Sequence, residues 1–379
     1  MNAITEPDAF ELVPNIPKTE GIKYAGSKLK MLPSILNSIQ GLEVESVFDG
    51  FSGSTRVSQM FGKLGYRVTS ADASIWSKVF SECYLLNSSD PHSYFELITH
   101  LNNIPGEDGW FTEKYGGSSL TENSAELDGF KKPWQIHNTR RLDAIRGEID
   151  RLKLCGVEKS VALTSLILAL DRVDSSLGHF TSYLNKWSPR SYKNMCLKVP
   201  LTFVAKRPNQ VLMGDIFDNL KHNDTDLTYL DPPYGSNNEK MPPSRVRYSS
   251  YYHLWETIIR NDQPELFGKA GRRTDSSDRV RSSIFEDFRK DSEGEFVCLN
   301  AIRQMLKDVN SKWTLLSYSS GGRATAASLF DAISGAGKLK RFIEVDYKKN
   351  VMSTMKWTNE WVTEEKKKHV EYLFLIENK

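Results

Sequence analysis

Clustered cysteine is missing from this sequence. Cys83, Cys155, Cys196 and Cys298 lie far apart, with no CxxC pair and no Cys/His cluster. A disulfide scaffold and a structural zinc site are therefore not expected, and the thiols read as reduced. Long hydrophobic runs are missing too. The longest apolar-rich stretch, Val161 to Leu170, is broken by Thr164 and Ser165, well short of the roughly 20 residues that cross a bilayer. The N-terminus carries acids and prolines rather than a basic start and an apolar core. No secretory signal is read there, and a cytoplasmic protein is expected. Neither sign of charge dominates: 50 Lys and Arg against 48 Asp and Glu leave a net charge of +2. That excludes a highly acidic or highly basic protein, although a local basic patch remains compatible with it.

What is present is ordinary for a folded protein. The chain has 379 residues, 39% hydrophobic and 26% charged, enough for one large domain or two moderate ones. Residues 1–20 hold Pro7, Pro14 and Pro17 and read as an arm. Seven β-like runs follow: Ser46–Phe51, Arg67–Asp72, Val211–Asp215, Leu227–Pro232, Trp313–Ser319, Arg341–Tyr347 and Tyr372–Glu377. Most are continuously apolar, the pattern of strands buried on both faces of a parallel sheet. They end in Asp, Gly, Ser or Pro, where an α/β sheet places its binding loops.

Two gaps interrupt the series. In the first, Leu142, Ile145, Ile149 and Leu152 recur on one helix face, with Arg140, Arg141, Arg146 and Lys153 around the others. A second helix is expected from about Lys159 to Lys186, and Pro105 to Thr121 reads as a loop. The second gap, 236–300, is polar. Its Lys240, Arg245, Arg247, Arg272 and Arg273, interleaved with Tyr248 and Tyr251, suit phosphates and bases. For any single arginine, a solvated surface is the plainer reading.

The sharpest feature is Leu227-Thr-Tyr-Leu-Asp231-Pro232-Pro233-Tyr234-Gly235. A strand runs straight into two residues without an N–H and with fixed φ, so the loop is stiff and its carbonyls stay free. The Asp231 carboxylate and the Pro232 carbonyl can accept from one amino group, and the Tyr234 ring can stack on a planar base beside them. Such an arrangement suits an exocyclic amine, whose lone pair is otherwise delocalised into its ring. Alone, the motif could equally be a rigid turn. Other segments add to it. Asp49-Gly-Phe51-Ser52-Gly53 follows the first run, Asp72 ends the second and Asp215-Ile216 follows the third. Each lone Asp is more often a cap or turn residue; three at successive strand ends suggest a nucleotide-like ligand. Lys23-Tyr24-Ala25-Gly26-Ser27-Lys28 precedes them all. The seven histidines show no metal-ligand spacing, and no metal site is expected.

In this order of segments the sequence resembles the alpha group of DNA adenine-N6 methyltransferases, across roughly residues 22–377. Leu170 to Phe180 and Tyr251 to Trp255 resemble a restriction–modification subgroup. The resemblance implies a Rossmann-like α/β fold with a mixed seven-stranded sheet, and S-adenosylmethionine as cofactor. It would place Tyr24, Ala25, Gly26 and Lys28 at the methionine end. Asp49, Phe51, Ser52 and Gly53 would line the pocket, with Asp72 on the ribose and Asp215 and Ile216 on the adenine. Asp231, Pro232, Pro233 and Tyr234 would hold a target base flipped out of double-stranded DNA. It further implies a catalytic domain from 21–79 and 201–379, a helical target-reading insertion at 80–200 and a DNA-contacting insertion at 236–300. A cognate endonuclease would be a separate chain, and a monomer or weak dimer suffices. The sequence departs from the family's F-x-G-x-G loop at Thr55. Cytosine-N4 or RNA adenine as acceptor, and a non-catalytic nucleic-acid binder on the same fold, remain open alternatives.

Overall fold

A computed structural model describes residues 15–118, 120, 122–124, 129–221, 223–235, 247–277, 283–346 and 370–379. Lys240 and Arg245 lie outside these residues. All seven expected runs form strands of one sheet: β1 (Ser46–Asp49), β2 (Arg67–Asp72), β3 (Gln210–Met213), β4 (Leu227–Leu230), β5 (Trp313–Ser319), β6 (Gly337–Asp346) and β7 (Val370–Asn378). Their order is β6-β7-β5-β4-β1-β2-β3. The pairs among β1 to β5 are parallel, and β7 runs antiparallel to both β5 and β6. This is the mixed Rossmann-like sheet that was expected.

Burial follows position in the sheet. β1 and β4, at its centre, are buried at every residue, whereas β3 and β6 at the two edges are largely open. Three runs stop short of their expected ends. β1 ends at Asp49, β3 at Met213 and β4 at Leu230, because the residues that follow turn into loops on one side of the sheet.

The first gap is largely helical, with Phe95–Asn103, Trp110–Tyr115, Ile136–Arg151 and Gly156–Val173. The first of these lies before the expected loop, and Trp110–Tyr115 is a helical turn inside it. Leu142, Ile145 and Ile149 are fully buried, but Leu152 caps its helix and is 39% exposed. The helix expected to reach Lys186 ends at Val173. There the buried Asp174 side chain accepts from Ser176 Oγ, from Lys23 and from Arg190, a local alternative to helical bonding. The boundary drawn at residue 80 falls inside helix Ile75–Leu85. That helix packs in one apolar cluster with Leu142, Ile145, Leu166, Trp255 and Ile258. The helices of the first gap are thus packed directly onto the helix that follows β2.

Arg146 departs most from the sequence pattern. It is 2% exposed, and it donates through Nε to Ile258 O at 2.6 Å and through Nη2 to Ile259 O at 3.0 Å. A guanidinium suits these carbonyls near the end of helix His253–Arg260, where positive charge is favoured. Arg146→Leu would leave two buried carbonyls unpaired at about 1–3 kcal/mol each. It is expected to lower the midpoint of urea unfolding followed by tryptophan fluorescence, while Arg140→Leu, at an exposed position, should leave it nearly unchanged.

Candidate active site

The ends of β1, β2, β3 and β4 open on one cleft of about 440 Å³, roofed by Tyr24–Lys28. Asp49, Asp72, Asp215 and Asp231 all line it, as do Gly26, Lys28, Phe51, Ser52, Gly53, Ile216, Pro232, Pro233 and Tyr234. Parallel strands carry these carboxylates to the same edge, so the sheet brings the sequence-predicted residues together. Ala25 sits in the roof, with its backbone held by two tyrosines. Its N–H donates to Tyr252 Oη at 2.7 Å, and Tyr248 Oη donates to its carbonyl at 3.1 Å.

The glycine loop explains its own departure from the family pattern. Thr55 has φ 61° and ψ 14°, the left-handed region that a glycine adopts without strain. Here a β-branched residue is pinned by two bonds. Its Oγ1 donates to Ser54 O at 2.8 Å and accepts from Gln59 Nε2 at 2.9 Å. Gly26, at φ 84°, has a second constraint, since a Cβ would lie 2.9 Å from Tyr248 Oη.

Each carboxylate has a different environment. Asp72 ties the loops together, accepting from Gly53 N at 2.9 Å and Ser74 N at 2.8 Å; burial raises its pKa. Asp215 caps the following helix by accepting from Phe217 N at 2.9 Å and is exposed. Asp49 Oδ2 accepts from Ser58 Oγ at 2.6 Å, but Oδ1 is buried with no hydrogen-bond partner. Burial, helped by the charges of Asp231 and Asp72, pushes the Asp49 carboxyl up to about 7. Beside Asp215, Phe51 meets Phe285 edge-on at 5.4 Å, and Phe285 stacks on Phe217 at 6.0 Å. With Ile216 they make an apolar slot.

The Asp231–Tyr234 loop is held from behind. The carbonyl of Tyr234 accepts from Arg323 N at 3.0 Å and Tyr318 Oη at 3.3 Å. Lys28, which the resemblance puts at the methionine end of the cofactor, lines the cleft and reaches Asp231. Its Nζ lies 2.7 Å from Asp231 Oδ2 and 3.2 Å from Glu371 Oε1. Tyr234 Oη is bonded to Asp231 and to Glu371. Burial lowers the Lys28 pKa, but the two carboxylates more than reverse this and leave it raised. Burial lifts Asp231 to about 6, against the pull of Lys28.

The DNA-contact residues read from the sequence are placed otherwise. Arg273 is 3% exposed and pairs with both Asp262 and Asp275. Arg247 is 5% exposed, and Arg272 is half-buried and donates to Ser276 O at 2.7 Å. Burial takes Arg247 and Arg273 away from any phosphate. Tyr248 clamps the roof, and Tyr251 stacks on His179 at 4.6 Å. Sequence reasoning missed Glu371, Phe285 and Phe217, whereas Tyr252 lies in the Tyr251 to Trp255 segment that the sequence singled out and here accepts from Ala25 N. Among the described residues no His, Cys, Asp or Glu group could hold a metal ion, and no helix is long and apolar enough to cross a membrane.

Residues 24–293 match the D12 class N6 adenine-specific DNA methyltransferase family. The chain belongs to this family. It is 28% identical to modification methylase StsI of Streptococcus sanguinis, over 79% of this chain and 44% of that one. It is 26% identical to modification methylase LlaI of Lactococcus lactis subsp. lactis, over 79% and 46%. With type II methyltransferase M2.HphI of Haemophilus parahaemolyticus the identity is 24%, over 96% of this chain and 100% of that one. The chain thus spans about half the length of StsI and LlaI.

The raised Asp49 carboxyl has a consequence for stability. An acid whose folded pKa exceeds its unfolded value stabilises the fold below the unfolded value and loses that stabilisation as pH rises through the folded one. For Asp49 the window runs from about 4 to about 7. Asp49→Asn should therefore flatten the fall in melting temperature across that range and leave the variant the more stable protein at pH 8, as read by calorimetry.

Proposed function

We propose that this chain transfers a methyl group from S-adenosylmethionine to N6 of an adenine flipped out of double-stranded DNA. The observation that carries the reading is the Lys28–Asp231 contact. A nitrogen already donates to Asp231 at 2.7 Å, which is the interaction the target amine would make there.

The cleft fits the cofactor on its own features. Asp49 Oδ1 is a buried acceptor lacking a donor, suited to the cofactor's ammonium. Asp72 lines the cleft at the end of β2 with its carboxylate held by backbone N–H groups, suited to ribose hydroxyls. The slot of Phe51, Ile216 and Phe285 suits a flat adenine, with Asp215 at its rim. Tyr24, Ala25 and Gly26 would close over the methionine end. When bound there, the cofactor supplies a methyl group activated on a sulfonium.

The chain's residues do the rest. Asp231 and the Pro232 carbonyl would accept from the two N–H groups of the exocyclic amine and favour a more tetrahedral nitrogen. Pro232 and Pro233 keep those acceptors rigid, and the Tyr234 ring would bear the flipped base. Adenine rather than cytosine is supported by the family. The helical insertion at 80–200 is proposed as the reader of the target sequence. A role beside a separate restriction endonuclease, in the cytoplasm, is supported by the relatives named as modification methylases.

Asp231→Ala should lower transfer of labelled methyl groups to DNA on the order of 10³-fold, while calorimetric binding of S-adenosylmethionine stays within about twofold of the parent. Turnover retained in that variant would remove Asp231 from the reaction.

A further inference from the structure

Glu371 belongs to none of the motifs. It lies on β7, which runs antiparallel to both of its neighbours, in register with Ser319 of β5. Its side chain is 7% exposed, and it receives Lys28 Nζ at 3.2 Å, Ser317 Oγ at 3.1 Å and Tyr234 Oη. Lys28 is also 7% exposed and sits between two carboxylates.

The arrangement poses a problem for catalysis. Lys28 holds Asp231 Oδ2, and the one Tyr234 hydroxyl proton is shared between Asp231 Oδ1 and Glu371 Oε1. A target amine must share this carboxylate with the Lys28 ammonium, which lies against Oδ2 and competes for it. A neutral amine gains less from a carboxylate than a buried ammonium loses by giving it up. With no second anion nearby, Lys28 would stay where it is and exclude the amine.

We propose that Glu371 is a positioning residue for methyl transfer, taking Lys28 from Asp231 as the target amine arrives. The acceptor carboxylate is then vacated without leaving a buried cation unpaired. A second recess of about 200 Å³, bounded by Gly26, Tyr248 and Ser319, opens on Lys28, Tyr234 and Glu371 and gives the side chains room to shift. The proposal rests on the reading of the cleft as a methyltransferase site. The plainer role would be a buried ion triad that only fastens β7 to the Asp231–Tyr234 loop.

The two roles separate in a double-mutant cycle. Glu371→Gln keeps the size of the side chain and its capacity to bond Ser317 and Tyr234, and removes only the charge. The single-turnover rate of DNA methylation is expected to fall on the order of tenfold, with S-adenosylmethionine affinity by calorimetry unchanged. Glu371→Asp should recover most of the rate. In a Lys28→Met background there is no ammonium to rehouse, so adding Glu371→Gln should change the rate less than about twofold from Lys28→Met alone.

An unchanged rate in Glu371→Gln, or the same loss in both backgrounds, overturns the proposal. If Glu371→Gln alone fails to fold, the comparison of Lys28→Met with the double variant decides, and a further tenfold loss there overturns it. A parent chain that binds S-adenosylmethionine but never methylates DNA would instead sink the underlying reading of the cleft, and this proposal with it.

Discussion

Crowded negative charge at the ends of parallel strands is the constraint on which this structure turns. Asp49, Asp72 and Asp231 line one cleft, and Glu371 reaches Lys28 beside them from β7. The three aspartates are buried, and burial raises the pKa of each. Each is stabilised differently: Asp72 by backbone N–H groups, Asp231 by Lys28 and Tyr234, and Asp49 by one serine hydroxyl with its other oxygen unbonded. The arrangement is costly for an empty protein and suited to one that receives donors: an ammonium, ribose hydroxyls and an exocyclic amine.

The same economy of charge links the insertion to the site. Lys23, one residue before Tyr24, is bonded to Asp171 and Asp174 at the end of helix Gly156–Val173, and Arg190 pairs with Asp174 at 2.8 Å. Tyr248 and Tyr252, from the segment following the catalytic loop, grip the backbone of Ala25. The cleft's roof is thus fastened to both inserted regions. A displacement of either segment would be felt at Ala25 and Lys28 through these packed and hydrogen-bonded groups.

Much of this was legible in the sequence, because strands and stiff turns are local. Apolar runs gave the seven strands, and the carboxylates at their ends fell in the cleft as expected. The Asp-Pro-Pro-Tyr loop could be read from proline alone. What could not be read depends on where long side chains finish. Lys28 was assigned to the cofactor by its motif but reaches across to Asp231. Arg146 counts as polar by periodicity and Arg273 as a phosphate contact in the polar gap, yet one meets helix-end carbonyls and the other a pair of aspartates. Glu371 is a single residue on the last strand, and only the antiparallel register of β7 carries it to the site. Thr55 looked like a break in the glycine loop, but it takes the left-handed backbone that a glycine adopts without strain.

The central claim is that this cleft methylates adenine in DNA. Its most direct test is long-read modification sequencing of plasmid DNA from a methylation-free host that expresses the chain. The account predicts N6-methyladenine at one short sequence motif and nowhere else. Unmodified DNA, from cells holding folded chain that binds S-adenosylmethionine, would contradict it.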